Sequence, residues 1–244
     1  KKLIFILLLL PIFGFTQEIF FSKSNGEIIR ASIDGLTQTV FYTAPSGRYV
    51  HAVTVDTINN KIYWNETFPN SSSKIMRSDL STLTPELVLN ISSSSINKIE
   101  VARDTNLIFW CGDERIFSNA NGLETEIINF SNVQHICIDN LNNYIYFAGA
   151  SNNLGRVNFD GSNYIGLNSG NYKHSLYMDE LNQKIYSSNG SSAEVKCYDI
   201  ATNSESVVWS CPFGSCGSIS SISMYDFDLG NPTILWTDYY NHNI

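Results

Sequence analysis

Four times along this 244-residue chain an Asp stands seven residues before a fixed position: Asp56 before Tyr63, Asp139 before Tyr146, Asp179 before Tyr186 and Asp228 before Leu235. That position opens an aromatic pair, or its remnant, which recurs as Phe20-Phe21, Tyr63-Trp64, Phe109-Trp110, Tyr146-Phe147, Tyr186-Ser187 and Leu235-Trp236, at spacings of 43, 46, 37, 40 and 49 residues. A period of about 40 residues suits a unit of four short strands joined by tight turns. The expected fold is therefore all-β, a six-bladed β-propeller of four-stranded antiparallel blades. The blades are expected at 18–47, 48–90, 91–129, 130–168, 169–210 and from 211 onward.

Turn formers fill the gap between each Asp and its aromatic, as in Asp56-Thr-Ile-Asn-Asn60 and Asp139-Asn-Leu-Asn-Asn143. Such side chains bond their own backbone and tolerate left-handed angles, so each Asp is expected to end one strand and lead by a hairpin into the next. A basic residue follows the aromatic by ten positions at Arg30, Arg156 and Lys196, and by fourteen at Arg77. It is placed on a third strand. Asp34-Gly35, Asp160-Gly161 and Asn121-Gly122 then supply turns into a fourth, outer strand, because both central positions of the favoured two-residue turns need positive φ.

The elements Ala-Val-Thr-Val-Asp (52–56), Lys-Ile-Tyr-Trp-Asn-Glu (61–66), Ile-Met-Arg-Ser-Asp-Leu (75–80) and Ile-Leu-Trp-Thr-Asp (234–238) resemble the YWTD repeats, the class B repeats of the low-density lipoprotein receptor family. The resemblance covers residues 18–244 and implies a six-bladed propeller. Only the last copy keeps Trp236-Thr-Asp238, and Tyr-Phe-Ala-Gly (146–149) and Tyr-Ser-Ser-Asn (186–189) depart from the tetrapeptide. The repeat-structural set is thus Asp56, Tyr63, Trp64, Asp139, Tyr146, Asp179, Tyr186, Asp228, Trp236 and Asp238. Glu18-Ile-Phe-Phe21 already reads as a second strand, and the last repeat stops before its basic residue. The expectation is a first blade without its inner strand and a truncated last blade.

Lys1 and Lys2 precede an apolar run from Leu3 to Phe15, which reads as a secretory signal peptide over 1–16 ahead of a propeller domain over 17–244. Crossing a bilayer takes about 20 apolar residues, and this run is shorter and interrupted by Pro11 and Gly14. The expected location is secreted or at the cell surface, the periplasm included, with no membrane insertion after cleavage. Of 15 Lys and Arg two lie in the leader, against 23 Asp and Glu. Nucleic acid is not an expected partner, since phosphate binding depends on clustered basic residues. In a eukaryotic secretory route Asn65, Asn70, Asn90 and Asn189 would be glycosylation acceptors.

Cys211 and Cys216 flank Pro-Phe-Gly-Ser and are the disulfide candidate of an oxidising compartment. Cys111, Cys137 and Cys197 lie in strand-like runs and read as small buried hydrophobes. His51, His135 and His174 stand four or five residues before a repeat Asp, at the start of inner strands, where they are candidates for one mouth of a central channel. Trp209 and Phe213, in the segment leading through Cys216, are candidate contacts on the same face. The repeated Asp residues read as turn formers, because catalytic carboxylates must be differently tuned. No nucleophile elbow, P-loop, HExxH helix or EF-hand loop occurs, and neither cofactor nor metal is expected.

The function read from this pattern is an exported binding module that recognises an extracellular protein or glycan through one propeller face, and not an enzyme. The alternative is a propeller hydrolase, a calcium-dependent lactonase or a glycosidase, which would gather unequal acids such as Glu100 at the channel.

Overall fold

In the computed structural model the described residues are 18–33, 35–68, 72–92, 95–130, 133–149, 154–167, 175–189, 194–210, 219–225 and 233–238. They form successive antiparallel sheets. The first holds β1 (Glu18–Ser22), β2 (Glu27–Ser32) and β3 (Gln38–Thr43), and the second β4 (Val53–Asp56), β5 (Lys61–Thr67), β6 (Ser73–Asp79) and β7 (Glu86–Ile91). The third holds β8 (Lys98–Val101), β9 (Ile108–Gly112), β10 (Arg115–Ser118) and β11 (Thr125–Asn129), the last two joined by a short 3-10 turn at Ala120–Gly122. The fourth holds β12 (Val133–Asp139), β13 (Tyr144–Gly149), β14 (Leu154–Asn158) and β15 (Ile165–Leu167). The fifth holds β16 (Ser175–Asp179), β17 (Lys184–Asn189), β18 (Glu194–Asp199) and β19 (Ser204–Ser210), and β20 (Ile219–Tyr225) pairs with β21 (Thr233–Asp238).

In every sheet the strands neighbour one another in sequence order. The inner strands β4, β8, β12, β16 and β20 succeed one another side by side, with β1 next to β4. This is a β-propeller, and it corrects the expected blade count. Six four-stranded blades are not found among the described residues: four sheets have four strands, the first has three and the last two. The shortfall falls on the first and last sheets, since an aromatic pair marks one strand of a sheet and does not count the strands that join it.

The aromatic pair owes its recurrence to strand geometry. Successive side chains of a strand point to opposite faces, so in the second, third and fourth sheets one member of the pair packs on the preceding sheet and the other on the following one. Trp64 joins Ile28, Ala44 and Phe41 of the first sheet, whereas Tyr63 joins Ile99, Trp110 and Phe117 of the third. Trp110 faces back to Ile75 and Ile91 of the second sheet while Phe109 packs forward on Ile136, Ile138 and Phe147 of the fourth. Phe147 in turn faces the third sheet, and Tyr146 the fifth, where it meets Leu176, Met178 and Tyr198. Trp64, Trp110 and Phe109 are fully buried. The core is a series of shared interfaces between neighbouring sheets.

Two register details differ from a simple repeat. Phe20, Tyr63 and Tyr146 lie directly opposite Arg30, Arg77 and Arg156, but Tyr186 lies opposite Cys197 and Lys196 opposite Ser187. A one-residue step sends a side chain to the other face; Lys196 is 10% exposed there, 3.5 Å from Glu205 and 3.9 Å from Glu194. The outer strand pair also carries a bulge between Ile28 and Ile29, between Ile75 and Met76, between Ile116 and Phe117, and between Val195 and Lys196. The extra residue lets two neighbours on the outer strand pack inward together, as Phe41 with Tyr42, Val88 with Leu89 and Ile127 with Ile128. The fourth sheet has no such bulge, and its outer strand is only three residues long.

Candidate functional site

The turns that join each inner strand to its neighbour are built alike. In the second sheet Asp56 Oδ1 accepts the backbone N–H of Ile58 and Asn59, both at 3.1 Å, and Oδ2 accepts Asn59 Nδ2 at 2.7 Å. Asp139 holds Leu141, Asn142 and the Asn142 amide in the same way, and Asp179 holds the backbone and side chain of Asn182. The residue closing each turn is left-handed: Asn60 at φ +53°, Asn143 at +57° and Gln183 at +51°. In the third sheet Ala102 takes the place of the Asp, and Asn106 still closes the turn at φ +55°. There the N–H of Asn106 donates to the Ala102 carbonyl at 3.1 Å.

In the third, fourth and fifth sheets the residue after Ala102, Asp139 or Asp179 ties neighbouring turns together. Arg103 N–H donates to Asn140 Oδ1 at 2.9 Å, and its guanidinium lies 3.0 Å from Glu180 Oε2. Asn140 donates through both its backbone N–H (2.8 Å) and its amide (2.6 Å) to Glu180 Oε1. Gln183 Nε2 donates to Asp139 Oδ2 at 3.3 Å, and Asn142 Nδ2 to Gln183 Oε1 at 3.2 Å. One end of the propeller thus carries a hydrogen-bonded rim spanning the third, fourth and fifth sheets. Above it three apolar side chains at the same turn position face solvent: Ile58 is 66% exposed, Leu141 65% and Leu181 78%. Aligning the repeats on their Asp exposes this rim in the sequence, since Arg103, Asn140 and Glu180 occupy one position and carry complementary groups.

Below the rim the inner strands carry a smaller polar group. Lys98 Nζ lies 3.2 Å from Glu100 Oε1, and this carboxylate holds the ammonium above its ordinary range against the opposing effect of burial. Burial, with Glu100 as the next cause, pushes the Cys137 thiol well above its ordinary value. Burial raises Cys111 to about 12, and it also raises Tyr177 to about 12 with help from Asp179 and Glu100. Both thiols are therefore protonated at neutral pH and are poor nucleophiles. Iodoacetamide at pH 7.5 is expected to leave Cys111 and Cys137 unmodified in the folded protein and to label both after denaturation, as read by peptide mass spectrometry. Native-state labelling of either would contradict the burial described here.

The residues singled out in the sequence are dispersed. His51 is exposed and precedes β4; its N–H donates to Asn65 Oδ1 and its carbonyl accepts Ser22 Oγ. His135 is half-buried within β12 opposite Ala148, and β8 stands between its strand and β4, so the two imidazoles are not brought together by neighbouring strands. Trp209 is half-buried in outer strand β19, opposite Val195, and not in a connecting loop. Trp236 and Asp238 pair with Ile222 and Ile219 in β21. His174, Cys211, Phe213, Cys216, Asp228 and residues 1–16, where a leader is expected, lie outside the described residues. Cys111, Cys137 and Cys197 are free thiols. Asn65 is fully buried and its amide is engaged by Thr67, His51 and Ala52, so it is closed to glycosylation. Among the described residues no group of three His, Cys, Asp or Glu side chains is arranged to hold a metal ion, and no helix is long and apolar enough to cross a membrane.

No protein-family model matches the sequence, and a search of curated proteins returned no match. Solved structures do match. A chain of a nidogen/laminin complex superposes with a TM-score of 0.75 at 17% identity, covering 91% of this chain and 85% of that one. An oligogalacturonate lyase solved with manganese superposes with a TM-score of 0.59 at 10% identity, over 79% of this chain and 62% of that one. At these identities the likeness is one of fold.

Proposed function

We propose that this chain is an exported protein-interaction module of the YWTD-repeat kind, which docks an extracellular protein on the rimmed end of the propeller. The carrying observation is the repeated exposure of Ile58, Leu141 and Leu181 at one turn position. An apolar side chain at a turn tip adds nothing to the core, yet here it recurs on turns each pinned by a buried Asp, those of Leu141 and Leu181 also tied to each other. Rigid apolar anchors ringed by polar groups are the arrangement that interfaces favour. The superposition on a chain from a nidogen/laminin complex agrees with a protein partner. A hydrolase is the weaker reading, because the acids nearest the channel are occupied: Glu100 by Lys98, Glu180 by Arg103 and Asn140, and Asp139 and Asp179 by their turns.

The test is affinity selection of a partner from secreted and surface proteins with the exported protein, followed by titration of Ile58→Asp/Leu181→Asp. Ten-fold or greater weakening, about 1.4 kcal/mol of binding free energy per factor of ten, with an unchanged melting temperature is the expected result. Undiminished binding by the double variant would place the interface elsewhere.

A further inference from the structure

The fourth sheet departs from the others on its outer side. Its outer strand is short and unbulged, and both β14 and β15 carry a glycine, Gly155 opposite Gly166. A Cβ on Gly155 would lie 2.5 Å from the Phe147 ring, and one on Gly161 would lie 2.4 Å from the Ile127 carbonyl oxygen. Gly161 thereby brings the turn after β14 down onto the third sheet, while Gly155 lets β14 lie close over the Phe147 ring of its own sheet. Where the first three sheets carry two inward-packed residues on the outer strand, the fourth has a cleft of about 650 Å3 between the turns at 142–144 and 158–165. Small-ligand sites commonly measure about 300–1,000 Å3.

The lining of the cleft is not apolar filler. Tyr164 is 46% exposed and backed by Phe130 (5.5 Å between centroids) and Phe147 (6.0 Å), which fixes its ring while leaving it open to solvent. Tyr144 is half-buried with the Arg156 guanidinium 4.1 Å over its ring. The amides of Asn143 and Asn163 stand at exposed turn positions held at φ +57° and +56°. Arg156 Nε is buried without a hydrogen-bond partner, and among the described residues it is the one charged side chain so placed. A buried donor without an acceptor costs about 1–3 kcal/mol. Such a cost beside a cleft marks a site that the rest of the fold does not need.

We propose that this cleft binds a neutral sugar ring of a glycan. Aromatic side chains present apolar faces with a polar edge, and a pyranose presents C–H faces that stack on them. Side-chain amides supply paired donors and acceptors, which match neighbouring hydroxyls. A carboxylated sugar fits less well: Asp160 lines the same cleft, and the Arg156 guanidinium already covers Tyr144. Of the docking anchors, Leu141 adjoins this cleft, whereas Ile58 and Leu181 lie on the second and fifth sheets, so substitutions there test docking without touching the cleft lining.

The experiment is a microarray of neutral hexose and N-acetylhexosamine oligosaccharides probed with the exported protein, with the strongest hit titrated calorimetrically. Asn163→Gly keeps the left-handed backbone and removes the amide, and Tyr164→Ser removes the platform; both are checked for folding by thermal melting. At least ten-fold weaker binding in each folded variant, with Ile58→Asp/Leu181→Asp binding the sugar normally, is expected. The proposal falls if the wild-type protein binds no glycan, if both variants bind undiminished, or if an acidic glycan or a peptide takes the cleft in preference. Protein docking fails separately, on the Ile58→Asp/Leu181→Asp titration.

Discussion

Replacing Trp110 by alanine is expected to lower the free energy of unfolding by about 3–5 kcal/mol, the range for deleting a buried Trp or Phe side chain. Trp110 is fully buried, stacks on Phe117 at 5.8 Å with an interplanar angle of 17°, and fills the contact between the second and third sheets with Ile75, Ile91 and Ile99. For a chain of 150–250 residues each kcal/mol moves the melting temperature by about 2–4 °C, so a drop on the order of 10 °C is expected in a thermal melt. Trp110 Nε1 has no hydrogen-bond partner. Trp110→Phe therefore removes an unsatisfied donor while keeping an aromatic ring, and it is expected to lose less than half as much. Equal losses in the two variants would mean that the indole N–H is bonded in solution.

Asp139→Ala is expected to cost about 3 kcal/mol, because it removes a fully buried carboxylate that four donors of its own and the neighbouring turn share. Asp139 is fully buried and accepts from Leu141 N, Asn142 N, Asn142 Nδ2 and, across the interface, Gln183 Nε2. Asp139→Asn keeps one acceptor oxygen and is expected to fall between. Leu141→Ala, in the same turn and 65% exposed, is expected to lie within about 0.5 kcal/mol of wild type. Denaturant unfolding of the three variants checks the series. A large loss in Leu141→Ala would show that its side chain supports the turn, and would remove it as an anchor reserved for a partner.

The aromatic pair and the Asp seven residues before it are legible because both answer to short-range geometry. Strand alternation dictates the pair, as in Trp64 and Tyr63, and side-chain bonding to the local backbone dictates Asp56, Asp139 and Asp179. The number of complete blades is not legible, since the pair marks one strand of each sheet and says nothing of how many others join it. The outer bulges are hidden for a related reason. Phe41-Tyr42 or Val88-Leu89 reads as one residue in and one out until the neighbouring sheet shows that both are covered.

The candidate sites fared less well. Histidines at similar offsets from the repeat Asp suggested a cluster, but His51 precedes its strand and His135 sits inside one, next to a bulge that shifts its register. Arg103, Asn140 and Glu180 are each unremarkable alone; they stand out only once the repeats are aligned on their Asp, and the lateral contact of successive turns joins them. The cleft of the fourth sheet depends on Gly155 and Gly166 standing opposite one another, a pairing that requires knowledge of the strand register.

An aromatic pair divided between two interfaces also sets how far a disturbance can spread. Each sheet touches the one before and the one after it, so the energetics resemble a row of coupled units with nearest-neighbour terms. The third and fourth sheets are braced on both sides, whereas β1–β3 and β20–β21 stand at the two ends of the row. Amide exchange should therefore be slowest in β9 and β13 and quicken toward both ends of the series. On that expectation, opening starts at the ends of the described row and reaches its centre last.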